Sequence, residues 1–135
     1  MIFGIGIDII EIDRIEAELE KHKDRFSKMV FTEKEIDYCS KNKNLNAQSQ
    51  CFSGRFAAKE AFFKAIGTGL RNGLSWKDVE ILNDKLGKPC FVLKNNSLKI
   101  IETNQIFNVQ LSISHCHSYA TAVVVLEKEN EIKRE

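Results

Sequence analysis

Alternating and clustered hydrophobic positions along the chain predict one strand followed by three helices. Residues 2–10 form an isoleucine-rich apolar run, which predicts a buried strand. Apolar positions at helical spacing predict helices over about 13–23, 33–40 and 49–66. The segment 41–49 is polar and rich in asparagine, so we predict a loop there.

The second half of the chain has the pattern of a sheet. Residues 78–82 and 90–94 alternate or run apolar and are joined by a turn-like segment, which predicts a hairpin. A short helix is predicted over 96–103, and two final strands over about 107–114 and 119–126. One strand, then helices, then a run of strands is typical of an α+β domain. We therefore predict a compact α+β domain whose mainly antiparallel sheet packs on the long helix.

Short polar signals mark the ends of the predicted helices. Asp13 and Glu16 have the spacing of a capping box at the start of the first helix. Thr32 and Glu35 repeat that spacing before the second helix. Gly67, followed by a second glycine two residues later, is expected to stop the long helix.

Length, charge and hydropathy narrow the class of protein. The 135 residues suit a single domain, which we assign to 1–126, with a charged tail over 127–135. A net charge of +1 does not indicate binding to nucleic acid. No apolar run approaches the roughly 20 residues of a membrane span. The N-terminal segment lacks the basic start of a secretory signal, so we expect a cytoplasmic protein.

The cysteines are widely spaced and form no CxxC pair. Without a secretion signal we expect a reducing compartment, in which disulfides are rare. We therefore expect free, buried thiols at Cys39, Cys51, Cys90 and Cys116.

Alternation divides the first strand into two faces. The face that we assign to the core carries Phe3, Ile5, Ile7 and Ile9. The opposite face carries Gly4, Gly6 and Asp8. Glycines within a strand often indicate close approach by a ligand or by another backbone. A buried carboxylate must be paired, hydrogen-bonded or metal-bound. The strand pattern alone favours Asp8 as a cap or as an acceptor of backbone hydrogen bonds.

Charged residues interrupt the apolar helix of residues 55–66. Glu60 and Lys64 lie on one face, at i and i+4, among phenylalanines. Two interpretations are equally supported by this helix. The residues form an ordinary ion pair, or Glu60 binds Mg²⁺ through its oxygens while Lys64 contacts phosphate or transfers a proton.

A third candidate is the segment Ser112-Ile113-Ser114-His115. The two serines share a strand face, and His115 follows at the strand end as a general base, a phosphate contact or a structural hydrogen bonder. A zinc site at Cys116 and His117 is disfavoured, because no CxxC or HxxxH pair supplies further ligands. No GxSxG motif supports a Ser-His-Asp hydrolase.

Several segments match one known family in order and over nearly the whole chain. They are GIGIDIIEIDRI at 4–15, FTEKE at 31–35, RFAAKEAFFKAIGTG at 55–69, GLSWKDVEI at 73–81, GKP at 87–89 and LSISHCHSYATAVVV at 111–125. Together they resemble the holo-acyl-carrier-protein synthases, the short bacterial 4′-phosphopantetheinyl transferases. Each segment alone is weak, but the combination is highly specific.

The resemblance implies the fold and the metal site. The expected fold is the family's compact α+β domain, assembled as a homotrimer with active sites between subunits. Asp8 and Glu60 match the two metal ligands, for Mg²⁺ with Mn²⁺ as a substitute ion. Lys64 matches a lysine expected near the pyrophosphate of coenzyme A. The other candidate contacts for coenzyme A are Arg55, Lys59, Gly67 and His115.

The resemblance also implies the reaction. A serine hydroxyl of apo-acyl carrier protein attacks coenzyme A, which gives holo-acyl carrier protein and adenosine 3′,5′-bisphosphate and supports fatty acid biosynthesis. The base is either Glu60 or a metal-bound water. Arg14, Lys21 and Arg25, at i, i+7 and i+11, are expected to face the acidic carrier protein. The alternative is an ordinary solvated helix face, since glutamates lie there too.

Two other hypotheses stay open on the sequence. The first is an inactive binding module that retains the fold and docks an acidic partner or a nucleotide. The second is a zinc protein that uses His115, Cys116, His117 and Cys90. The family resemblance ranks the transferase above both.

Overall fold

The computed structural model describes residues 1–71 and 73–130. In chain order its elements are β1 (Ile2–Glu11), α1 (Ile12–Val30), α2 (Glu33–Ser40), α3 (Leu45–Ile66), a short 3-10 helix (Trp76–Asp78), β2 (Val79–Asn83), β3 (Pro89–Leu93), α4 (Asn95–Thr103), β4 (Ile106–His115) and β5 (Tyr119–Lys128). One antiparallel sheet has the strand order β1-β5-β4, and β2 pairs with β3 in a separate hairpin. The predicted α+β class with antiparallel strands is confirmed.

Two glycines of β1 allow the strand to lie directly on α3. A Cβ atom on Gly6 would stand 1.8 Å from the Ala61 carbonyl oxygen, and one on Gly4 would stand 2.0 Å from that of Ala65. Two strand residues advance about 6.6 Å, and four helix residues advance about 6 Å. The spacing of the two glycines along β1 therefore matches the spacing of Ala61 and Ala65 along α3. The glycines therefore admit another backbone, which is one of the two predicted alternatives.

The predicted core face of β1 is wrong for Ile5, Ile7 and Ile9. Their exposed fractions are 58%, 63% and 66%. The reason is that α3 covers the opposite face of the sheet, the one that carries the glycines. The buried face continues on β5 through Ala120, Ala122, Val124 and Leu126.

The start of α1 does not use the predicted capping box. Glu11 is the N-cap residue and makes no side-chain cap hydrogen bond. Strand β1 runs straight into the helix, and the Ile12 amide donates to the Ser118 carbonyl at 2.9 Å. The helix continues past the predicted end to Val30, with a kink at His22, where φ is −137° and ψ is 40°.

The other helix signals have mixed outcomes. The capping box of Thr32 and Glu35 is confirmed, with both reciprocal hydrogen bonds present. Gly67 ends α3 in the left-handed conformation, with φ of 88°. However, α3 begins earlier than predicted, because the Asn44 side chain accepts hydrogen bonds from the amides of Asn46 and Ala47. Half of the predicted loop is therefore helical.

The expectation of four free, buried thiols is wrong. Cys39 and Cys51 form a disulfide, because the packing of α2 on the start of α3 brings their Cα atoms to 5.4 Å. This separation lies within the range that a disulfide bridges. Cys90 and Cys116 are free thiols, but they are exposed.

The C-terminal end differs in detail from the predicted boundary. Strand β5 continues to Lys128, so the first residues of the predicted tail belong to the sheet. Residues 131–135 of that tail lie outside the described residues. Within the described part of the chain, none of the helices has the length and apolar character needed to cross a membrane.

Candidate metal and phosphate sites

The close packing of β1 on α3 brings Asp8 and Glu60 to one cavity. Asp8 follows the two glycines on β1, and Thr121 of β5 donates to its backbone carbonyl at 2.8 Å. The cavity has a volume of about 320 Å³. Its lining residues are Asp8, Ile9, Ile10, Glu11, Arg14, Phe56, Glu60 and Tyr119. The two acidic residues predicted from distant segments therefore share one site.

Lys64 joins the same cluster through Asp8. Its Nζ lies 3.1 Å from Asp8 Oδ1 and donates to the Ile7 carbonyl at 3.0 Å. The Lys64 side chain is 54% exposed, whereas that of Asp8 is only 15% exposed. Lys64 can therefore reach a ligand at the surface without leaving the vicinity of Asp8.

The cluster has more negative than positive charge. Burial raises the pKa of Glu60 above its ordinary value, the negative charge of Asp8 raises it further, and Lys64 opposes both. With Glu11 and Arg14, which line the same cavity, three carboxylates face two cationic side chains. A divalent cation would relieve this repulsion, and oxygen donors of this kind suit Mg²⁺.

The protein supplies only part of a cation's coordination. Across residues 1–71 and 73–130, no three side chains of the types His, Cys, Asp and Glu converge to hold a metal ion. Mg²⁺ commonly takes one or two carboxylates and completes its shell with water and substrate phosphate. The pair of Asp8 and Glu60 fits that mode. The zinc hypothesis, which needs further protein ligands, gains no support from the same residues.

Lys59 does not contact a coenzyme, contrary to the prediction. Its side chain is 0% exposed. Its ammonium group donates to Glu35 Oε1 at 2.7 Å and to the carbonyls of Val30 at 2.8 Å and Trp76 at 3.1 Å. Burial lowers the pKa of Lys59, and the charge of Glu35 opposes that effect. Every N–H of the ammonium is used inside the protein, so this residue is structural.

Arg55 and His115 lie together in a second cavity. Its volume is about 390 Å³. The lining residues are Tyr38, Asn42, Ala47, Gln50, Cys51, Gly54, Arg55, Asn83, Gly87, Pro89, Ile113 and His115. None of them lines the cavity of Asp8 and Glu60. The structure therefore places the predicted coenzyme contacts at two separate sites of one chain.

Three residues that sequence reasoning missed hold Arg55 in place. One guanidinium nitrogen donates to Asn83 Oδ1 at 2.6 Å, and another lies 3.4 Å from Cys51 Sγ. The Tyr38 ring centroid is 4.5 Å from Arg55 Cζ. Asn83 also donates to the Gly87 carbonyl at 2.8 Å. An asparagine at the end of a strand signals a turn, but no local pattern indicates its contact with Arg55.

Gly67 has a structural explanation in the fold. It is the left-handed C-cap of α3, and its amide bonds to the carbonyls of Phe63 and Lys64. It is exposed, and an added Cβ would meet no atom within 4 Å. Contact with a coenzyme is sterically open there and stays a prediction.

The basic residues of α1 are separated by the helix kink. Arg14 lines the cavity of Asp8 and Glu60. Arg25 lines a shallow cavity with Glu18, His22, Phe26 and Met29. The i, i+7, i+11 spacing assumes a regular helix, whereas non-helical angles at His22 separate Lys21 from Arg25. Their common orientation therefore does not follow from the spacing.

The fold and the match to a family model define this chain as an α+β protein of the 4′-phosphopantetheinyl transferase class. A family model described as the 4′-phosphopantetheinyl transferase superfamily matches residues 4–124. A holo-[acyl-carrier-protein] synthase of Clostridium perfringens is 50% identical over 133 residues, covering 96% of each chain. The corresponding protein of Geobacter sp. (strain M21) is 45% identical over 128 residues, covering 95% of this chain and 100% of the relative.

Solved structures agree with these sequence relatives. The Bacillus anthracis holo-(acyl-carrier-protein) synthase in complex with CoA (3′,5′-ADP) is 41% identical, with a TM-score of 0.77 and coverage of 96% and 99%. The Plasmodium yoelii holo-ACP-synthase is 35% identical, with a TM-score of 0.83 and coverage of 96% and 98%. This chain belongs to the holo-[acyl-carrier-protein] synthase family.

Proposed function

We propose that this protein transfers the 4′-phosphopantetheine group from coenzyme A to a serine of apo-acyl carrier protein, in support of fatty acid biosynthesis. The products are holo-acyl carrier protein and adenosine 3′,5′-bisphosphate. The observation that carries the proposal is the shared cavity of Asp8 and Glu60, where the pKa of Glu60 is raised. Family membership supplies the substrates, since relatives of known structure bind coenzyme A.

In this proposal Asp8 and Glu60 hold Mg²⁺, or Mn²⁺ in its place. The ion, when bound, neutralises charge on the coenzyme pyrophosphate. Asp8 is fixed by the packing of β1 on α3, and Glu60 projects from α3 itself. The two oxygen donors are therefore held by rigid elements rather than by loops, as a well-organised site requires.

Lys64 and Glu60 have the chemical roles in the transfer. The serine hydroxyl attacks the phosphorus that carries pantetheine, and the bond from that phosphorus to the leaving bisphosphate breaks. Lys64 is half exposed beside Asp8, so its ammonium can stabilise the negative charge on the phosphoryl oxygens. Glu60 is one of the two candidate acceptors of the serine proton, because it lies in the same cavity as Asp8.

Arg55, His115 and Gly67 contact the coenzyme in this proposal. Since Arg55 and His115 line a cavity separate from that of Asp8, we propose that two copies of the chain form each active site, within a homotrimer. The exposed face of Ile5, Ile7 and Ile9 supports an assembly, because large exposed apolar patches usually mark protein interfaces.

Arg14, Lys21 and Arg25 are the proposed contacts to the carrier protein. Arg14 has the strongest support, because it lines the same cavity as Asp8 and Glu60. A basic rim beside the site would attract an acidic partner and weaken with salt. We also propose a cytoplasmic location, where both substrates of the proposed reaction are used.

The test is the mass increase of apo-acyl carrier protein incubated with coenzyme A and Mg²⁺. We expect Asp8→Ala and Glu60→Ala to reduce the rate by at least about a hundredfold, since the metal contributes several kcal/mol to such reactions. Circular dichroism should show an intact fold. The matched control is Glu102→Ala, an exposed glutamate of α4, which should retain the wild-type rate.

Two outcomes would contradict the proposal. Wild-type rates in both acidic variants would remove the assigned metal site. Binding of coenzyme A without any mass increase would instead favour the inactive binding module. Chelation followed by addition of Mg²⁺ separates loss of metal from loss of fold.

A further inference from the structure

The Cys39–Cys51 disulfide lies beside the second cavity. It joins the end of α2 to the second turn of α3. Cys39 is fully buried, whereas Cys51 is half-buried and lines the cavity together with Arg55 and His115. One of the two sulfurs is therefore within reach of a small molecule that enters this cavity.

Both ends of the disulfide are adjacent to groups that hold Arg55. Cys51 precedes Arg55 by one helical turn, and its Sγ is 3.4 Å from Arg55 Nη1. Cys39 directly follows Tyr38, whose ring lies under the Arg55 guanidinium. Among the described residues, Arg55 Nε is buried without a hydrogen-bond partner. The position of the guanidinium thus depends on few contacts, and two of them border the disulfide.

Reduction would change this environment in two ways. Two thiol sulfurs cannot stay at bonding distance, so the side chains or the helices that carry them must separate. That movement would displace Tyr38 and Cys51 relative to Arg55. A cation beside a thiol also favours the thiolate form. A Cys51 thiolate would pair with Arg55 and compete with an anionic ligand for the same guanidinium.

We propose that Cys39 and Cys51 form a thiol–disulfide site that sets the affinity of the Arg55 cavity for coenzyme A, the disulfide form binding more tightly. The proposal rests on the proposed function, in which Arg55 contacts the coenzyme. Disulfides in a reducing compartment are commonly transient and redox-sensing.

The oxidant in this step is a low-molecular-weight disulfide, which accepts the electrons of the two protein thiols. A thiolate of one cysteine attacks it, and one small thiol leaves. The second cysteine then attacks the mixed disulfide, and the second small thiol leaves. The two protein S–H bonds are lost, the protein S–S bond forms, and the two protons end on the two small thiols.

The test uses full-length protein with Cys90→Ser and Cys116→Ser, which leaves Cys39 and Cys51 as its cysteines. One sample is treated with oxidised glutathione and the other with dithiothreitol. Thiol titration and peptide mass spectrometry record the state of the pair. Calorimetry measures the Kd for coenzyme A, and the transfer assay measures kcat and both KM values.

We expect the reduced form to have a Kd and a KM for coenzyme A about two- to tenfold higher, the range of one lost hydrogen bond. The kcat and the KM for the carrier protein should not change. Cys39→Ser in the same background keeps the Cys51 sulfur beside Arg55 but removes the disulfide. After dithiothreitol treatment it should bind coenzyme A as the reduced form does. Oxidised glutathione should leave a mixed disulfide on Cys51, because no second cysteine is present to attack it.

Three results would overturn the proposal. The two thiols could remain titratable after oxidation, or both forms could bind coenzyme A equally. Equal binding by two active forms would overturn the redox site alone and leave the transferase assignment intact.

A folded protein that binds coenzyme A in both forms, with unequal affinity and no transfer, would contradict the transferase assignment alone. Absence of binding in both forms would overturn both.

Discussion

Lys59 and Lys64 belong to the same helix but occupy opposite environments. The side chain of Lys59 is 0% exposed, and its ammonium donates to three acceptors inside the protein. Lys64 is 54% exposed, and its carboxylate partner is Asp8. Their acidic neighbours differ in the same way. Both carboxylate oxygens of Glu35 accept hydrogen bonds inside the protein, whereas Glu60 lies in a cavity with Asp8.

The comparison separates a structural charge cluster from a candidate functional one. Glu35 accepts from Lys59, from the Thr32 amide and from the Ile81 amide, and so ties α2 and α3 to β2. Its charge is balanced and its oxygens are used. The cluster of Asp8 and Glu60 keeps excess negative charge next to open space. Uncompensated charge at a cavity is a better indication of function than a shifted pKa alone.

The largest effect should come from Lys59→Met. The substitution leaves the Glu35 charge buried without its partner, which we expect to lower the free energy of unfolding by about 3–5 kcal/mol. Urea denaturation measures this change. Lys64→Met is the matched control, because an exposed ion pair contributes only about 0–1 kcal/mol. In the transfer assay the order should be reversed, with Lys64→Met losing activity while folded.

A second variant tests why Lys59 matters. Lys59→Met combined with Glu35→Gln removes the uncompensated charge and should recover part of the lost stability. If Lys59→Met is as stable as the wild type, the buried pair is not what holds these elements together. Lys59 would then not have the structural role that distinguishes it from Lys64.

The sequence could not assign these two lysines, for a physical reason. Helix α3 is apolar on nearly every side, so periodicity does not show which of its charges faces the interior. Glu35 was visible as a capping residue, but its contact with Lys59 joins helices that are distant in sequence. The pairing of Glu60 with Asp8 was predictable only through the family resemblance.

Strand β1 shows the same limit. Alternation correctly separated its isoleucines from its glycines and Asp8, and strands and helices were predicted in the right order. Alternation did not show which face of β1 packs on the helix. The backbone of α3 lies against the face that carries Gly4 and Gly6, because these residues have no side chains. The pairing of Cys39 with Cys51 likewise follows from helix packing and not from cysteine spacing.

Gly6→Ala should give the second largest effect, because it disturbs the acidic cluster through the backbone. The new Cβ would stand 1.8 Å from the Ala61 carbonyl oxygen, so strand and helix must separate. We expect a loss of about 1–3 kcal/mol of unfolding free energy, as for other overpacked sites. The transfer rate at limiting Mg²⁺ should fall more than the folded fraction does, because Asp8 moves away from Glu60.

The control for this variant is Gly54→Ala, in α3, the helix that Gly6 contacts. There the added Cβ meets the Ile113 side chain at 3.0 Å, which can shift, and alanine favours helix. Its stability should change little or rise. If Gly6→Ala and Gly54→Ala lost the same unfolding free energy, the close contact of β1 with α3 would not explain the effect of Gly6→Ala.

The smallest effect concerns the charge of Glu60 itself. Because the folded state raises the pKa of Glu60, folded wild-type protein binds a proton there more tightly than unfolded protein does. The contribution of Glu60 to wild-type stability should therefore fall as pH rises from the unfolded pKa of 4.5 through the folded pKa. Glu60→Gln cannot ionise and escapes this loss.

We expect metal-free Glu60→Gln to be as stable as the wild type near pH 4 and slightly more stable at pH 7.5. The gain should stay below about 1 kcal/mol, because the site is partly solvated. Thermal denaturation across this pH range measures the difference, with Glu102→Gln as the exposed control. Mg²⁺ should then raise the Tm of the wild type at pH 7.5 and not that of Glu60→Gln. If Glu60→Gln were less stable than the wild type at pH 7.5, the charge of Glu60 would stabilise the fold, as the charge of Lys59 is proposed to do.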